Sequence, residues 1–64
     1  MPVITVQMHQ ATQEQKLELI RTLTAAAVAA TQIPAQKFTV LIHELAADNI
    51  GVGGKSLTEV KAAR

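Results

Sequence analysis

The chain has 64 residues, no cysteine, a formal net charge of +1, 48% hydrophobic residues and one aromatic, Phe38. These values exclude a disulfide framework, and six basic residues scattered from Lys16 to Arg64 without an aromatic platform exclude a nucleic-acid surface; His9 and His43 lack the spacing of metal ligands. No run approaches the roughly 18 apolar residues of a membrane span and no secretory leader is recognisable, so the expectation is a single cytoplasmic domain over 1–64, with no metal and no membrane partner.

From Pro2 to Met8 the side chains alternate, with Ile4, Val6 and Met8 on one face and Val3, Thr5 and Gln7 on the other, which predicts a strand. Thr12 with Gln15 three residues later has the form of a capping box and predicts a helix from about Gln13. Leu17, Ile20, Leu23, Ala27 and Ala30 then recur at helical spacing up to Thr31. The alanine-rich stretch Ala25–Ala30 fits either close packing or simple helix propensity. Pro34 disfavours helical geometry at Ile33 and should end the helix. "KFTVLIHEL" predicts a second strand, Phe38, Val40 and Ile42 facing one way and Thr39, Leu41 and His43 the other. "AADN" turns the chain, the glycines of "IGVGGK" predict a tight hairpin, and the tail closes as a short polar segment.

Strand, long helix and strand make a parallel βαβ unit of the α+β class, followed by a C-terminal hairpin. A two-stranded sheet with one helix leaves a sheet face and edges open. A chain of this size buries only about 60% of its unfolded surface, so without disulfides or metal it needs partner subunits. Self-assembly is the simplest completion.

Three features bear on chemistry. "GVGGKS" ends like a phosphate-binding loop, but that pattern needs a glycine where Asn49 stands and a helix afterwards, where only eight residues remain, so phosphate cradling is set aside. His9 and His43 are of a residue type suited to acid–base work but have no nucleophile or base arranged with them, and Lys37 and Glu44 read as ordinary solvated charges. Pro2 is tolerated as the first residue of a strand, yet it also allows removal of Met1, which would turn its nitrogen into a secondary amine. Held among apolar walls, that amine would be partly unprotonated near neutrality and act as a base.

"PVITVQM", "EQKLELIRTLTAA", Pro34, "FTVLIHEL" and "NIGVGGKSL" together resemble the 4-oxalocrotonate tautomerase family along nearly the whole chain. The resemblance implies a βαβ subunit with a C-terminal hairpin, two subunits forming a four-stranded sheet and three such dimers a homohexamer. It also implies cofactor-free keto-enol tautomerisation of a 2-hydroxy-2,4-dienoate or related enol acid, with Pro2 as catalytic base. The sequence departs from the family where arginines hold substrate: the connection "HQAT" has none, the second-strand position carries Thr39, and the hairpin aromatic is replaced by Ile50. The remaining substrate-binding candidates are therefore His9, Lys37, Thr39 and Ile50. The rival readings are a non-catalytic or structural subunit of a tautomerase-like assembly and another reaction of the superfamily, decarboxylation or dehalogenation.

Overall fold

Val3–His9 forms β1 and Thr39–Leu45 forms β2, paired in parallel from Val3 opposite Thr39 to His9 opposite Leu45. The computed structural model describes residues 1–62, with side chains through Val60. The alternation in β1 is realised: Ile4, Val6 and Met8 are half-buried on the side of the helix, while Val3, Thr5, Gln7 and His9 face outward. β2 starts at Thr39 rather than Lys37, because Ala35–Lys37 winds into a 3-10 turn that opens on Pro34. Lys37 therefore belongs to that turn and shares no strand face with Thr39.

The crossover helix α1 spans Gln13–Thr31. Its capping box is complete: the Gln15 N–H donates to Thr12 Oγ1 at 3.1 Å and the Thr12 N–H donates to Gln15 Oε1 at 2.9 Å. The helix stops two residues before Pro34, where Gln32 turns left-handed (φ 65°) and its N–H closes onto the Val28 carbonyl at 2.8 Å. Leu23 and Ala27 pack inward as the spacing predicts, whereas Leu17 and Ile20 remain 52% and 40% exposed and Ala30 is also exposed. A sheet two strands wide is only about 10 Å across, too narrow to cover the whole apolar stripe of the helix.

Beyond β2, the 3-10 turn Ala47–Asn49 leads to β3, Gly51–Val52, which pairs antiparallel with β4, Lys55–Ser56. The two-residue link is Gly53 (φ 62°) and Gly54 (φ 82°), positive at both positions as a type I′ hairpin requires. The expected polar tail is instead helical from Leu57 to Ala62, forming α2; residues 63 and 64 lie outside the described residues. Ser56 and Glu59 cap it reciprocally, the Glu59 N–H donating to Ser56 Oγ at 3.1 Å, and Thr58 donates its hydroxyl to Asp48. A helix thus does follow "GGKS", but the glycines are spent on the hairpin, with Val52 opposite Lys55, so no phosphate cradle results.

Candidate active site

Pro2 sits half-buried at the mouth of β1, and the parallel register ties it to the start of β2: the Thr39 N–H donates to the Pro2 carbonyl at 3.0 Å. Thr39, half-buried, also donates its hydroxyl to the thioether of Met1, Oγ1 to Sδ 3.3 Å. Lys37 is exposed at the end of its 3-10 turn, two residues from Thr39, with its N–H on the Pro34 carbonyl at 3.0 Å. These three residues share one end of the sheet. Pro34 fixes the turn that delivers Lys37 and Phe38 to it.

His9 and Ile50 do not join them. His9 ends β1 opposite Leu45, about 23 Å from Pro2 at the rise of an extended strand. Its Nδ1 lies 2.9 Å from the Gln10 carbonyl, which can only accept, so this nitrogen is the donor of the pair. Ile50 is half-buried past the far end of β2, its N–H on the Ala47 carbonyl and its own carbonyl accepting from the Leu57 N–H at 2.7 Å. His9 and Ile50 can therefore reach a Pro2 only in another copy of the chain.

Glu44 is exposed, as a solvated charge is expected to be, and it also has partners. Its carboxylate accepts from the Lys16 ammonium at 2.8 Å and from the Ala11 N–H at 3.0 Å, so it clasps the short β1–α1 connection and the first turn of α1 to the end of β2. The Lys16 hydrogen bond, followed by that from Ala11, holds its pKa below the ordinary carboxylate value. The signal was present in the alternation: Glu44 continues the helix-facing series of Val40 and Ile42. Two grooves flank α1, one lined by Leu17, Ile20, Val40 and Ile42 and the other by Met8, His9, Leu19 and Thr22. Neither reaches Pro2.

The backbone thus brings Pro2, Thr39 and the turn that carries Lys37 to one end of the sheet. Residues 2–60 match the family described as Tautomerase enzyme. A protein of Bacillus cereus named a probable tautomerase is 38% identical over 60 residues, covering 92% of this chain and 98% of its own length. Among solved structures, a heterohexamer 4-oxalocrotonate tautomerase from Chloroflexus aurantiacus J-10-fl superposes with a TM-score of 0.88 at 36% identity, covering 94% of this chain and 98% of that one. A structure from work on the 4-oxalocrotonate tautomerase isozymes of Methylibium petroleiphilum gives 0.93 at 26% identity, covering 98% and 100%.

Proposed function

The chain belongs to the tautomerase family, and from that premise we propose that it is a cofactor-free keto-enol isomerase whose base is the amine of Pro2 once Met1 has been removed. While Met1 is attached, the Pro2 nitrogen is a tertiary amide with no basic lone pair. Excision leaves a secondary amine on a half-buried residue at the mouth of β1. The amine takes the hydroxyl proton of a 2-hydroxy-2,4-dienoate or related enol acid as the C–C double bond shifts and a C=O bond forms. The same proton is returned to carbon, so nothing is oxidised or reduced and no cofactor is required.

The observation that supports this reading is the anchorage of Pro2: its carbonyl accepts from the Thr39 N–H at 3.0 Å, which ties the first residue of the mature chain to the start of β2. Of the five candidate residues, Pro2, Thr39 and Lys37 belong to one subunit's contribution, and His9 and Ile50 are assigned to the site of a neighbour. A homohexamer built as a trimer of dimers is the assembly proposed, acting in the cytoplasm; no described helix is long and apolar enough to cross a membrane. The likeness to a heterohexameric enzyme favours one second reading, a subunit of a mixed assembly that needs a different partner chain.

Intact mass spectrometry of the protein from cells should show the loss of one methionine. In the mature protein, Pro2→Ala should lower turnover by roughly 10²–10⁴, the usual contribution of a positioned acid–base group, with assembly unchanged. Retention of Met1 in cells, or full activity of Pro2→Ala, would refute the proline base. Turnover by the chain expressed alone separates the homo-oligomer from the mixed assembly.

A further inference from the structure

We propose that the outward face of the sheet is a pH-gated contact between copies of this chain, with His43 as the group that opens it in acid. This rests on the reading of the chain as a homo-oligomer and deepens it. His43 stands in register with Gln7, whose side chain faces away from α1, so it lies on the open face, and Leu41 and Leu45 on either side of it are 45% and 36% exposed. His9 stands opposite Leu45, at the corner of the same face. None of the four registered pairs of that face, from Val3 opposite Thr39 to His9 opposite Leu45, holds a carboxylate, a lysine or an arginine. Its histidines are the only groups there that can take a charge.

A second copy is the occupant this face fits. A charged partner would lose water from groups that find no counter-charge here, whereas the same face of another copy is neutral and largely apolar, and a two-fold contact sets like against like. The area agrees: the chain exposes 4901 Å² where a folded monomer of 6.8 kDa presents roughly 3950 Å², an excess of about 950 Å² against the roughly 800 Å² that each partner gives to a stable interface. Covering the face buries the His43 of both copies. Histidine is the side-chain type that changes charge between pH 5 and 8, and burial penalises its charged form. Among the described side chains, none that faces His43 offsets that charge. Glu44, next along β2, has its carboxylate on the Lys16 ammonium and the Ala11 N–H on the helix side, and Asp48, in the turn beyond β2, accepts from the Thr58 hydroxyl. On β1 the neighbouring titratable group is His9, which takes a charge of the same sign. Separated copies therefore bind protons that joined copies exclude, so association is strongest above the histidine range and weakens as the pH falls through it.

The test is sedimentation velocity of the mature protein at pH 8 and pH 5.5, at a concentration just sufficient for assembly at pH 8. Both values lie above the range in which Glu44 loses its charge, since its pKa is held below the ordinary 4.5. A tenfold loss of proton affinity at each His43 lowers the association constant of a two-copy contact by up to about a hundredfold across that interval. The expected result is a shift to smaller species at pH 5.5 that reverses at pH 8. His43→Gln replaces an exposed side chain with a polar one that does not titrate, and should remain assembled at both values. It also separates the gate from the terminal amine, a group whose class titrates in the same interval. His9→Gln should keep the shift. An assembly unchanged at pH 5.5 overturns the gate and leaves the oligomer standing. A shift that persists in His43→Gln, or that vanishes in His9→Gln, overturns the assignment to His43. A monomer at pH 8 removes the oligomer reading and the gate with it.

Discussion

Glu44 shows how one side chain settles the local geometry that its neighbours leave open. The connection Gln10–Thr12 is too short to carry structure of its own, and the carboxylate satisfies the Ala11 N–H while pinning Lys16. Its pKa lies below the ordinary 4.5, so folding favours the ionised form. That contribution is fully present above the ordinary value and is lost as the pH falls through the lowered one. Glu44→Gln should therefore be less stable than the parent at pH 7, and the two should converge under acid conditions below about 4.5. Thermal melting of both proteins across that range is the measurement, and a constant gap at all pH values would contradict the assignment. The carboxylate is about a third exposed, which screens the pair and keeps the effect modest.

At the level of elements, helix α1 leans on its first-turn cap, since among its described residues none is fully buried. Thr12→Ala removes the acceptor for the Gln15 N–H and should cost about 1 kcal/mol, readable as a lower denaturation midpoint at constant slope. Thr12→Ser should cost far less. The capping box, the strand alternation and the paired glycines were legible in the sequence because each acts over two to four residues through backbone geometry. The 3-10 turn at Ala35–Lys37 was not, because Phe38 and Lys37 continue an apolar–polar alternation that a strand would share. Helix α2 was missed although Ser56 and Glu59 carry its cap, since its six residues hold too little periodicity to be read. Of the site, the grouping of Pro2 with Thr39 follows from parallel register, whereas the separation of His9 and Ile50 from them depends on where whole strands end.

The whole molecule is too open to be complete. Its radius of gyration is 15.0 Å, against about 10.7 Å for a compact chain of this length, and its long axis is 44 Å. Its accessible surface is 4901 Å², where a folded monomer of 6.8 kDa presents roughly 3950 Å². Among the described residues none is fully buried, and the outward sheet face carries Val3 and Leu41 at 48% and 45% exposure, with Val52 at 67% on the hairpin. About 25 cal/mol per Å² of apolar surface removed from water is a large driving force when so little is buried within one chain. Folding and association are therefore expected to be one equilibrium, with the half-buried faces of α1 and the sheet completed by other subunits. For such a system the melting temperature depends on protein concentration, because dilution shifts both steps together. Melting should move to lower temperature on dilution, and sedimentation at micromolar concentration should find an oligomer. A folded monomer at that concentration, with melting independent of dilution, would mean that the open faces are stable in water by themselves. Leu41→Lys provides the complementary test: it places a charge on the outward sheet face without touching Pro2, Thr39 or the caps of α1, so it should weaken assembly and melting together.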